Sequence, residues 1–167
     1  MLRCQAPNEA CYQLDQLLAA GLVHVELAVR ADAAWVAMAR ELQHAYPALR
    51  LGAASVCTAQ ALSAVVDAGL AYAVSPILVP QLLEQARRAA ITLVPGVFSP
   101  TEIAEAVRCG AAAVKLFPAA SLGPAYWSSL AGPLRLAFTF VRPSSHTTIA
   151  GSLATAMSRS RNLPTAR

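Results

Sequence analysis

Apolar residues recur along this chain with two spacings, and the two alternate. Five short runs are β-type: "VHVELAV" from Val23, "LRLGAAS" from Leu49, "AYAVSP" from Ala71, "ITLVPG" from Ile91 and "AAVKLFP" from Ala112. Between them the spacing is helical. Trp35, Met38, Ala39 and Leu42 fall at i, i+3, i+4 and i+7, with Arg40, Glu41, Gln43 and His44 on the other face. Leu82, Leu83 and Ala86 against Glu84, Gln85, Arg87 and Arg88 repeat the pattern. Three helical stretches stop at Gly21, Gly69 and Gly110 with a strand starting at once, as expected where a helix end needs a residue that tolerates positive φ. "SPTE" from Ser99 predicts a capping box, with Ser99 as N-cap, Pro100 at the first helical position and Glu102 reaching back.

Strand, helix, glycine, strand at intervals of roughly twenty to twenty-five residues predicts right-handed βαβ units and a parallel sheet. A Rossmann sheet and a β/α barrel share that rhythm. No G-x-G-x-x-G follows any strand, so dinucleotide binding has no support. Polar residues instead gather toward the C-terminal ends of the strands (Glu26, Arg30, Ser55, Ser75, Lys115), the rim at which barrel enzymes place their chemistry. The expected fold class is α/β, a parallel TIM-type β/α barrel. An eight-stranded barrel needs at least about 200 residues, whereas this chain has 167, so the barrel is expected to be incomplete.

Composition narrows the function. The chain is 56% hydrophobic and 13% charged, enough to build one core. No segment reads as a membrane span or a signal peptide, and a cytoplasmic protein is expected. Cys4, Cys11, Cys57 and Cys109 form no CxxC pair and have no histidine at ligand spacing, so no metal and no disulfide are expected. The net charge of +4 is unevenly spread: residues 1–134 hold eight basic and nine acidic groups, and residues 135–167 hold five arginines and no acid. Residues 139–167 also carry ten of the serines and threonines, as many as residues 1–134 together. The expected organisation is a domain over 1–134 and a basic, Ser/Thr-rich, disordered tail over 135–167. Without interleaved aromatics that tail offers no nucleic-acid reading surface.

Lys115 is the only lysine, and it lies in an apolar run that reads as a buried strand. Desolvation penalises an ammonium, so a lysine held there can act as a neutral amine toward a carbonyl carbon. Residues 24, 26, 28 and 30 share one strand face, which aims Glu26 and Arg30 the same way about 13 Å apart. A carboxylate can shuttle protons and an arginine fork can hold a substrate carboxylate. Together they describe a class I aldolase. On residue pattern alone, a strand-end lysine is more often snorkelling or salt-bridged than a Schiff-base former, and a structural Glu26 ion pair fits as well as a catalytic role. Ser55 and Ser75 read as strand-end hydrogen bonders, and His24, His44 and His146 have no acid–base partner in the sequence.

"GLVHVELAVR", "LGAASV", "AVSP", "LVPGVFSPTEI" and "AVKLFPAASLGPAY", in that order, resemble the 2-keto-3-deoxy-6-phosphogluconate (KDPG) and 6-phosphogalactonate aldolases, whose bacterial members often also cleave 4-hydroxy-2-oxoglutarate. The likeness runs from about Leu2 to Leu134. It implies a homotrimeric, cofactor-free enzyme that takes a small-molecule 2-keto acid. Lys115 falls on the Schiff-base lysine, Glu26 on the general acid and base, and Arg30 on the arginine for the pyruvyl carboxylate. Ser55 stands at the threonine of a G-A-G-T-V pattern, Ala54 replaces the glycine before it and is expected to crowd the backbone, and Ala31 replaces a threonine or asparagine. Neither the P-T-G-G strand nor the phosphate-holding double-glycine turn of the family follows "AGPL", so strands seven and eight are expected to be missing. The rival reading is an inactive truncated aldolase fragment or an interaction subunit.

Overall fold

The computed structural model describes residues 1–4, 6–119, 125, 126, 129 and 130. Its elements alternate as the two spacings predict: α1 (Pro7–Ala19), β1 (His24–Ala28), α2 (Ala33–Ala45), β2 (Arg50–Ala54), α3 (Ala59–Asp67), β3 (Tyr72–Val74), α4 (Pro80–Arg88), β4 (Thr92–Val94), β5 (Gly96–Val97), α5 (Pro100–Arg108) and β6 (Lys115–Leu116). The starts of α2, α3 and α5 are set by side-chain caps, whereas α1 and α4 start on Pro7 and Pro80 without one. Asp32 accepts from the Trp35 N–H at 2.7 Å, and Thr58 from the Ala61 N–H at 3.1 Å. At α5 the capping box is complete, with Ser99 and Glu102 each satisfying the other's backbone N–H. Gly21, Gly69 and Gly110 have φ of +77°, +72° and +79°, the left-handed geometry that lets each helix turn straight into the next strand.

β1, β2, β3 and β4 pair in that order, all parallel, and β5 pairs in parallel with β6. Each strand lies beside the next in sequence, the order of a barrel wall rather than the reversing order of a doubly wound sheet. "ITLVPG" was one expected strand and is two, because Pro95 has no N–H for the ladder. Its carbonyl still accepts the Lys115 N–H at 3.0 Å, so the wall passes from β4 through β5 to β6. Leu2 adds a parallel bridge on the outer side of β1, at Leu27.

Side-chain alternation divides the wall into two faces. Val25, Leu27, Leu51, Ala53, Ala73 and Leu93 point to the helices and share one core with Leu14, Trp35, Met38, Leu42, Leu62 and Leu83. Each large side chain fully buried there contributes roughly 1.5–3 kcal/mol. The opposite, inner face holds Tyr72, Val74 and Val94, and it includes the registered positions Glu26 and Gly52. The helical stripes predicted for α2 and α4 are the buried ones. Ala54, where crowding was expected, continues the extended β2 at 2% exposure, and the left-handed conformation falls one residue later, on Ser55 at φ +64°. The expected tail over 135–167 and the expected loss of strands seven and eight concern segments outside the described residues.

The α5 box also makes stability depend on pH. N–H groups of Phe98 and Ser99 donate to Glu102 at 2.7 and 2.8 Å and hold its carboxyl below the usual carboxylate range. A depressed folded value stabilises the protein above the ordinary value of 4.5 and is lost as the pH falls through the folded one. Glu102→Gln is therefore expected to lower urea stability at neutral pH, with the gap to wild type closing in acid. A gap that widens below pH 4 would contradict the cap.

Candidate active site

Glu26 is the middle residue of β1 and turns to the inner face between outward Val25 and Leu27. It is 7% exposed. Burial raises its proton affinity, and the Met1 amine and Lys115 pull it part of the way back. Lys115 opens β6 opposite Gly96 and is half-buried. Burial lowers its proton affinity, while the charges of Glu26 and then Cys57 raise it. Carboxyl and amine thus feel each other across the interior, and each is displaced toward its neutral form by the loss of water. The Lys115 Nζ lies 4.9 Å from the centre of the Phe117 ring, a cation–π contact that keeps the amine beside an apolar surface.

Arg30 and Ser55 follow the C-terminal ends of β1 and β2. Arg30 lies two residues beyond the end of β1 at Ala28, although the Val29 N–H still bonds the Ala54 carbonyl at 3.0 Å. The backbone turns left-handed directly after it, at Ala31 with φ +41°. The guanidinium is engaged by Asp32 at 3.4 Å and by the Cys4 carbonyl at 3.4 Å, both in partly exposed surroundings. Contacts this long are weak and exchangeable for a better anion. Ser75 is 1% exposed and its Oγ accepts from the Ile77 N–H at 3.2 Å, the strand-end bond expected of it.

Three residues of the site went unpredicted. Phe117 lies beside Lys115, and two-residue alternation from Lys115 could have found it. Cys57 acts on Lys115 electrostatically from beyond β2, and Tyr72 lies within reach of the Glu26 charge, which raises the proton affinity of its phenol. Neither left a signal in sequence, since both depend on strand register. Among the described residues no group of three His, Cys, Asp or Glu side chains is placed to hold a metal ion, and no helix is long and apolar enough to cross a membrane.

A family model described as KDPG and KHG aldolase matches residues 1–142. The 2-dehydro-3-deoxy-phosphogluconate aldolase of Pseudomonas aeruginosa is 38% identical over 120 residues, 71% of this chain and 54% of that protein. The chain spans about half the length of the curated relatives it matches. Among solved structures, a KDPG aldolase from Legionella pneumophila, with pyruvate captured at low pH as a covalent carbinolamine intermediate, superposes with TM-score 0.72 and 28% identity, over 79% of this chain and 64% of that one. A porous cage designed by fusing symmetric oligomeric domains matches with TM-score 0.70 and 27% identity, over 78% of this chain and 48% of that one.

Because Lys115 is the only lysine, its titration can be followed by amine labelling and peptide mass, apart from that of the N-terminus. Glu26 raises the proton affinity of Lys115. In Glu26→Gln the labelling midpoint of Lys115 is expected at lower pH than in wild type. A midpoint that stays put or rises would separate the two side chains.

Proposed function

This chain belongs to the KDPG and KHG aldolase family, and on that premise we propose that it cleaves a 2-keto-3-deoxy-6-phospho sugar acid to pyruvate and glyceraldehyde 3-phosphate through a Schiff base on Lys115. Cleavage of 4-hydroxy-2-oxoglutarate to pyruvate and glyoxylate would use the same groups. The observation that carries the reading is the pairing of a desolvated amine with a desolvated carboxyl on the inner face of a parallel wall.

The chemistry follows from those two side chains. The neutral Lys115 amine adds to C2 of the keto acid, and the carbinolamine loses water to give a protonated imine, which serves as an electron sink. Glu26 takes the C4 hydroxyl proton through a water. The C3–C4 bonding pair moves into the imine, the aldehyde leaves, and an enamine of pyruvate remains on Lys115. Protonation of the enamine at C3 and addition of water return pyruvate and the free amine. Burial suits Glu26 to this work, because a carboxylate deprived of water is a stronger base.

Arg30 is assigned to the pyruvyl carboxylate, exchanging its long contacts with Asp32 and Cys4 for a planar two-pronged grip. Ser55 is assigned to hydrogen bonding of the substrate at the mouth, from a left-handed residue directly after β2. The same proposal places the protein in the cytoplasm as a homotrimer. The likeness to a cage built from symmetric oligomeric domains supports assembly.

Borohydride reduction with pyruvate tests the reading. Wild type is expected to gain one reduced pyruvyl adduct, mapped to the peptide of Lys115, and Lys115→Ala none. Glu26→Gln should still form the adduct while turnover falls by roughly 10²–10⁴-fold. A wild-type chain that gains no mass would favour the inactive-fragment reading.

A further inference from the structure

One register row of the inner face joins Glu26 on β1, Gly52 on β2 and Tyr72 on β3. Tyr72 is 3% exposed, and its ring occupies the space a side chain at position 52 would fill. A Cβ on Gly52 would overlap ring atoms Cε2, Cζ and Cδ2. The ring therefore lies across β2, with its hydroxyl-bearing end toward β1. His24, two residues before Glu26 on the same face, meets it there, with ring centroids 6.0 Å apart and planes tilted by 54°. The Tyr72 hydroxyl and His24 Nδ1 are both buried without a hydrogen-bond partner among the described residues. Buried phenols normally have one.

We propose that Tyr72 is a positioning residue for Glu26, its hydroxyl delivered across Gly52 to donate a hydrogen bond to the ionised carboxylate. The row fits that use: glycine is the residue at position 52 that leaves the path open, and His24 packs against the ring from β1. Burial and the Glu26 charge both hold the phenol in its protonated, donating form. The other charged groups facing Glu26 are the Met1 amine and Lys115; Arg50 faces Tyr72 and His24 from β2. In the aldolase reading, on which this inference rests for its meaning, the hydroxyl keeps a desolvated base ionised often enough to work. A donor to the charged form opposes the effect of burial.

The test is carbon-13 NMR of the full chain with labelled glutamate and tyrosine, without substrate. Tyr72→Phe keeps the ring and is expected to raise the Glu26 midpoint by about one pH unit, tenfold in proton affinity. Gly52→Ala, which displaces the ring, should shift it the same way. In wild type the Tyr72 Cζ resonance should move with the titration of Glu26, a readout that needs no variant to fold. A Glu26 midpoint that falls, or stays within about 0.3 unit, in Tyr72→Phe overturns the assignment, as does a Tyr72 resonance indifferent to Glu26. Failure of pyruvate trapping would instead remove the aldolase reading and leave these titrations standing.

Discussion

Two ionisable side chains of opposite charge, Glu26 and Lys115, are held away from water on the inner face of one wall of parallel strands, and the rest of the arrangement is organised around that constraint. Removing either from water favours its neutral form, and the presence of the other favours its charged form. In both, the loss of water is the larger effect. Such a pair is poor as a source of stability, since desolvation outweighs the attraction. It is well suited to chemistry in which a proton and an electron pair change places near neutrality.

Helices on one side only make the constraint possible. With Val25, Leu27, Leu51, Ala53, Ala73 and Leu93 buried against them, the wall is stabilised from outside, and its inner face is free to carry polar groups. Small residues then adjust that face. Gly52 gives way to the Tyr72 ring, and Gly96 lets β5 approach the backbone of Pro76, where a Cβ would collide with the carbonyl. At the mouth, Ala31 and Ser55 hold left-handed backbone, a conformation that costs a non-glycine residue about 1–3 kcal/mol and persists where the surroundings impose it.

The helices and most strands were legible because their causes are local. Trp35, Met38, Ala39 and Leu42 mark their stripe by spacing alone, Ser99 and Glu102 mark a helix start by side-chain reach, and Gly110 marks a helix end by its freedom at φ +79°. Lys115 and Glu26 were legible as chemistry because each is a polar residue in an apolar strand. Arg30 was legible as an anion-binding candidate, but its contacts with Asp32 and the Cys4 carbonyl depend on the turn after β1. The break at Pro95 was visible as a residue but not as a change of pairing partner.

By itself, then, the order of residues determined the alternation of strands and helices, the faces of both and the identity of the amine and the carboxyl, all of which depend on spacing within a few neighbours. Only the tertiary structure decided which residues meet across the wall: Glu26 with Gly52 and Tyr72 in one row, Cys57 near Lys115, and the relay of pairing from β4 to β6 through Pro95. Register between strands separated by a whole helix is set by packing of the intervening segment, and no local periodicity encodes it.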